Sequence, residues 1–350
     1  MHSGADRLRH HGDVDATPGM VDFAVNVQGS GPPGWLRDRI AATLADLGRY
    51  PAAAHDAAAR SAVADRHGRR PDEVLVLAGS AEGFALLPAL RPRLAAIVHP
   101  GFTEPEQALR SAGLPVVHVL TDGRDGHRLH PEAVPNQADL VVVGNPTNPT
   151  GVLHPAADVR ALAVPGRIVV VDEAFADALP GEPESLAGEP RPGMIVFRSL
   201  TKTWALAGLR AGYALGPPEL LARLAAPRPH WPVSTPALEA VIASSEPAAV
   251  AEAELVAHRL AAARAEQAAA LAAVPGVEVL PGVAPYLLLR LPVGHGERVR
   301  LALREAGIAV RRCDTFPGLD ADHLRVAVRP APLVAQLAGA LTDALAGVAV

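Results

Sequence analysis

Ser199-Leu200-Thr201-Lys202-Thr203-Trp204-Ala205-Leu206-Ala207-Gly208-Leu209-Arg210-Ala211-Gly212-Tyr213 is the stretch whose reading decides the fold. It follows directly on the apolar run 195–197, which predicts a buried strand ending in a loop rich in hydroxyls and glycine. The loop carries one lysine, with hydroxyls on both sides and an arginine after it. Desolvation and neighbouring cations lower the pKa of such a lysine and make its amine a nucleophile. Ser199, Thr201 and Arg210 supply hydrogen bonds and fixed charge for a phosphate, while Gly208 and Gly212 allow close backbone approach. A lone lysine on a surface loop needs no function, but five residue types in this order weigh against that reading.

Two further segments point to the same place. In Arg167-Ile-Val-Val-Val-Asp172-Glu173-Ala-Phe175, four apolar residues put Asp172 at the carboxyl end of a buried strand, the edge at which open α/β sheets bind ligands. A carboxylate there can pair with a cationic ring nitrogen; the plainer alternative is the N-cap of a following helix. In Asn145-Pro-Thr147-Asn148-Pro-Thr150-Gly151, after the apolar run 140–143, the prolines fix a turn that holds the Asn amides in one orientation. Each of the three segments lies about one strand-helix-strand unit, on the order of 30 residues, from the next, so all return to one edge of the sheet.

Upstream, the run 74–77 leads into Ala78-Gly79-Ser80-Ala81, a Gly-Ser turn opening a helix whose free N–H groups can take a phosphate. Phe102, after His99-Pro100-Gly101, can stack on a ring or simply fill core. Arg325, in His323-Leu-Arg325-Val-Ala-Val-Arg329, stands among apolar residues on a strand and needs an anion, either a substrate carboxylate or a structural partner.

Strand candidates 74–77, 96–98, 116–119, 140–143, 168–171 and 195–197 alternate with Ala/Leu/Arg-rich helical stretches, the pattern of an α/β domain with a mainly parallel sheet. From about Pro236 a long helix, 252–273, precedes strand candidates 286–291, 308–311 and 324–328, a smaller α+β unit. The expected division is an arm at 1–30, a large domain at 31–235 and a small one at 236–350.

The 350 residues carry a net charge of −5 with no basic run, which argues against nucleic acid. One cysteine, Cys313, excludes an internal disulfide and a Cys-rich metal site, and no metal is expected. Residues 1–13 lack the apolar core of a signal peptide, and no stretch is long and apolar enough for a bilayer, so a cytoplasmic location is expected.

Together these motifs resemble the fold-type-I pyridoxal 5′-phosphate (PLP) family of class I/II aminotransferases, over nearly the whole chain. The resemblance implies a seven-stranded large domain and PLP as cofactor. It makes Lys202 the Schiff-base lysine, Asp172 the partner of the pyridine nitrogen, and Asn148 the ligand of the ring oxygen. Gly79, Ser80, Ala81, Ser199, Thr201 and Arg210 fall at the phosphate site, Phe102 at the stacking position and Arg325 at the carboxylate-binding arginine. Tyr50, in Arg49-Tyr50-Pro51, looks like the tyrosine that reaches the cofactor of a second subunit, which implies a homodimer with shared sites. His11, Asn26, Arg311 and Arg329 are expected to bind a small phosphorylated substrate.

Two branches of the family compete, L-threonine-O-3-phosphate decarboxylase of cobalamin synthesis and histidinol-phosphate aminotransferase. Phe175, where most aminotransferases carry Tyr, tilts the expectation to the decarboxylase, as do Ser199-Leu-Thr-Lys202, Arg312-Cys313-Asp314 and His11-Gly12-Asp13. The arm departs from that branch, with Asn26-Val27-Gln28-Gly29 where Asn-x-Asn-Pro is usual.

Overall fold

The computed structural model describes residues 8, 10 and 12–346. Thirteen strands form three sheets: β1 (Val21–Asp22), β2 (Val74–Leu77), β3 (Ala95–His99), β4 (Val116–Leu120), β5 (Leu140–Gly144), β6 (Ile168–Asp172), β7 (Met194–Ser199), β8 (Gly212–Leu215), β9 (Glu278–Val279), β10 (Tyr286–Arg290), β11 (Ile308–Ala309), β12 (Arg311–Arg312) and β13 (His323–Ala327). Seven of them make the large sheet, in the order β2-β8-β7-β6-β5-β3-β4. β8 alone runs against the other six strands of this sheet.

The strands of this sheet are apolar throughout because both faces are covered. Val141 and Val143 pack into one core with Val169, Val171 and Val196, while Leu140 and Val142 pack into the other with Val170, Ile195 and Phe197. Successive side chains of a strand point to opposite faces, so an unbroken apolar run fits a strand buried on both sides and leaves polar residues for its end. Register then lines up those ends: Gly144 is opposite Asp172, and Asp172 opposite Phe197.

The second sheet, β12-β13-β10-β9, is antiparallel, and its core of Leu287, Leu289, Leu324 and Val326 is closed by Val334, Leu337 and Leu341 of the helix Ala331–Leu345. The expected strand 308–311 is divided: Ile308–Ala309 pairs with β1, and Arg311–Arg312 pairs with β13. Core membership also differs from the expected division at 235/236. The helix Thr235–Ser245, capped by the Ser234 hydroxyl, puts Leu238 and Val241 into the core of the large sheet, as does Ala253 of the following helix Pro247–Ala272. Only Leu271, at the far end of that helix, belongs to the second core, which Phe23 of the arm also enters.

Candidate active site

A cavity of about 480 Å³ opens at the carboxyl ends of β5, β6 and β7 and is closed from the other side by the arm and by β12 and β13. Its walls bring together Lys202, Asp172, Asn148, Ser80, Ala81, Phe102, Ser199, Thr201, Arg210, Arg311, Arg325 and Asn26, residues scattered over some 300 positions of sequence.

Asp172 faces the cavity and is half-buried, and the protein packed around it raises its pKa to about 6. Its one hydrogen-bond donor among the described residues is the Ala174 amide, at 3.1 Å. A carboxylate so placed calls for a cation. Lys202 is lowered to about 8, by burial first and then by Arg325 and Arg210. Its amine is therefore neutral in an appreciable fraction of molecules near neutral pH. The Phe175 ring centroid is 5.9 Å from Lys202 Nζ and stands edge-on to Tyr286, whose hydroxyl donates to the Thr147 carbonyl at 2.8 Å.

The two asparagine amides of the β5 loop have different tasks. Asn145 is bound to His154 in both directions, donating to its carbonyl at 3.1 Å and accepting from its amide at 2.7 Å. Asn148, on the cavity wall, instead receives Arg325 Nη1 on Oδ1 at 2.5 Å, which leaves its NH₂ group as a donor. Arg325 also donates to the Ala24 carbonyl, and burial leads the lowering of its pKa to about 10. Among the described residues its Nε has no partner, and neither does Asn26 Oδ1, although both are buried in the cavity wall. Such orphaned groups mark where a polar ligand fits.

At the other end, Gly79 takes φ 81° and comes so close to Arg210 that a β-carbon would stand 2.7 Å from its guanidinium. Gly212 is equally constrained, since a β-carbon would meet the Arg198 carbonyl at 2.7 Å. Gly208, by contrast, has no described protein atom within 4 Å of where a β-carbon would stand. Ser80, Ala81, Ser199, Thr201 and Arg210 thus surround a recess with hydroxyls, amides and one cation, a donor set that fits a phosphate.

Two expected residues lie elsewhere. Arg329 donates to the carbonyls of Asp22, Val25 and Val27, at 2.7, 2.6 and 3.2 Å, and so holds the arm rather than a substrate. Tyr50 is 74% exposed, stacked on Trp231 at 4.2 Å, and does not reach the cavity of its own chain. His11 lies outside the described residues. The cavity adds Asp13, Phe84, Glu104 and Phe316, which sequence reasoning missed. For Phe84 a signal existed, since it follows Ser80 by one helical turn and shares its face. Asp13 lay inside a quoted motif but drew no role.

Behind the cavity a second set of charges is buried. Arg198 donates to Glu173 at 3.0 Å, to Glu182 at 2.7 Å and to Asp177, which also receives Arg66 at 3.0 Å. Farther along the sheet, Glu106 takes His99, His118 and Arg110 at 3.0, 2.8 and 2.6 Å. His99, Glu106 and His118 could together ligate a metal, but Arg110 already meets the carboxylate's charge.

Residues 20–341 match the family model for aminotransferase class I and II. The chain belongs to that family, whose members depend on PLP. It is 55% identical to a histidinol-phosphate aminotransferase of Mycobacterium tuberculosis, over 92% of this chain and 87% of the relative. Identity to the threonine-phosphate decarboxylase of Salmonella typhimurium is 33%, over 94% and 92%. The fold matches a histidinol-phosphate aminotransferase from Clostridium acetobutylicum with a TM-score of 0.84 at 23% identity, over 93% of this chain and 98% of that one. Likeness to the aminotransferase branch thus exceeds likeness to the decarboxylase branch, the reverse of the tilt drawn from Phe175.

Proposed function

We propose that the protein is a PLP-dependent aminotransferase that moves the amino group of histidinol phosphate to 2-oxoglutarate. The observation that carries this reading is the 55% identity to a relative of that name along 92% of the chain. The cavity fits the cofactor: among the described residues Asp172 has no cation hydrogen-bonded to it, the recess at Arg210 suits a phosphate, and Asn148 on the wall keeps its NH₂ as a donor. When bound, PLP supplies an electron sink for the pair left at the substrate's α-carbon. Lys202 is placed to take the proton from that carbon and return it, and its pKa near 8 suits both directions at neutral pH. Asp172 would hold a positive charge at the ring nitrogen, while Arg325 and Arg311 would orient the anionic arm of the substrate. Tyr50, exposed beside Trp231 and near exposed Leu44 and Leu47, suits a role in a second subunit's site, and we infer a homodimer.

The decarboxylase remains a second reading because Phe175 brings no hydroxyl to the cavity wall. Purified holoenzyme given histidinol phosphate and 2-oxoglutarate should form glutamate, and given L-threonine O-3-phosphate should release no CO₂. CO₂ without glutamate would overturn the aminotransferase reading.

A further inference from the structure

We propose that Asp13 is a specificity-determining residue, selecting amines whose α-carbon bears one anionic arm and one arm ending in an imidazole or similar N–H donor. The proposal rests on the aminotransferase reading and names the feature of the cavity that would choose its amino donor.

The short helix Gly12–Asp15 lies over the cavity and is fastened from several sides. Asp15, 6% exposed, accepts from His10 Nε2 at 3.0 Å and stands 3.9 Å from Arg311. Arg311 donates to the His10 carbonyl at 2.7 Å, and the Thr103 hydroxyl to the Leu8 carbonyl at 2.7 Å. Gly12 is packed on Ala24 so closely that a β-carbon would stand 2.5 Å from the Ala24 oxygen. Two acids of one helix therefore differ. Asp15 is used in holding the segment down, whereas Asp13 lines the cavity and has no hydrogen bond or ion pair with any described residue. Its charge reaches the Lys202 amine.

Arg311 and Arg325 line the same cavity, so it presents cations on one side and, on another, a carboxylate unpaired among the described residues. An amine substrate has two arms on its α-carbon to distribute between them. Histidinol phosphate has a phosphate on one arm and an imidazole on the other, and the imidazole can donate N–H to a carboxylate whether neutral or protonated. L-Threonine O-3-phosphate and L-glutamate carry anions on both arms, so whichever arm does not meet the arginines gains nothing from Asp13. The rim acid thus favours the imidazole-bearing donor over either doubly anionic one.

The test compares half-reactions of the holoenzyme with histidinol phosphate and with L-glutamate in wild type, Asp13→Asn and Asp13→Lys, following the cofactor's absorbance. The ratio of the two second-order rate constants should fall about tenfold in Asp13→Asn, the size of one charge-assisted hydrogen bond, and further in Asp13→Lys. Asp13→Lys should also bind L-threonine O-3-phosphate more tightly than wild type does. A ratio within about twofold of wild type in both variants would sink the proposal. Wild-type enzyme that reacts with glutamate but not with histidinol phosphate would instead remove histidinol phosphate as the amino donor, the reading on which the proposal rests.

Discussion

Asp172 and Glu173 are neighbours, as are Arg198 and Ser199, yet each pair divides between two buried polar assemblies built on opposite principles. Glu173 and Arg198 join a saturated network in which every charge meets an opposite one, with Arg198 only 1% exposed and partnered by Glu173, Glu182 and Asp177. Asp172 and Ser199 face the cavity, where Asp172 has only a backbone amide, Lys202 has a lowered pKa, and Asn26 and Arg325 keep unpaired atoms. The alternation of a strand, one side chain to each face, lets a fixed scaffold stand directly against an incomplete site. The first assembly holds strand ends in place, and the second is completed by what binds there.

The largest expected effect lies on the saturated side. Arg198→Ala leaves buried Glu173 without a cation and takes from Asp177 and Glu182 one of the two arginines each one meets, and it should destabilise the protein by about 3–5 kcal/mol, read as a lower urea midpoint with unchanged slope. A loss below about 1 kcal/mol would mean the network is not a scaffold. On the incomplete side the same kind of deletion should act differently. Asp172→Asn should lower kcat by about 100-fold, within the range found for positioned acid–base and charge partners. The cofactor-free variant should nevertheless be at least as stable as wild type near pH 7, because it no longer buries an under-partnered charge.

Acid separates individual carboxylates: Asp177 of the first assembly and Glu106 farther along the sheet respond with one sign and Asp172 with the other, while burial raises Glu173 as it raises Asp172. Glu106 is held at about 2 against burial by hydrogen bonds from His99, His118 and Arg110, and Asp177 is lowered by Arg198 and Arg66. A carboxylate lowered on folding contributes stability above its ordinary pKa and loses it as pH falls. Asp172 is raised from 3.8 to about 6, so its contribution is present below about 4 and is lost as pH rises through 6. The stability of cofactor-free Asp172→Asn relative to wild type should therefore increase between about pH 4 and 6 and level off above. A flat difference across that range would show that Asp172 is not strained by burial.

These particular residues also show how far the sequence could be read. Strands β3, β5, β6 and β7 were legible because burial on both faces demands unbroken apolar runs, and the lysine loop, Asp172 and Asn148 were legible because each sits where such a run stops. β8 was not, since Gly212-Tyr213-Ala214-Leu215 reads as the tail of the lysine motif rather than as a strand running against its neighbours. The task of Arg329 was hidden for a different reason: its carbonyl partners lie some 300 residues earlier, and carbonyls leave no mark in sequence. Asp13 and Asp15 show the same limit, because two acids of one short helix differ only in what the fold brings beside them.

The smallest expected effect concerns the one wall residue that departs from the family habit. Phe175 is 6% exposed, edge-on to Tyr286 and 5.9 Å from the Lys202 amine, on the same wall as Asn148. Phe175→Tyr adds one hydroxyl at the rim of an otherwise apolar contact, and a single neutral hydrogen bond contributes about 1 kcal/mol. If Asn148, oriented by Arg325, suffices for the ring oxygen, turnover of histidinol phosphate should change by less than about fivefold and thermal stability by less than a few degrees. A change beyond tenfold, or CO₂ release from L-threonine O-3-phosphate that the wild type shows and the variant loses, would make Phe175 a determinant of the reaction branch. The incomplete side of the comparison would then extend beyond charges to a missing hydroxyl.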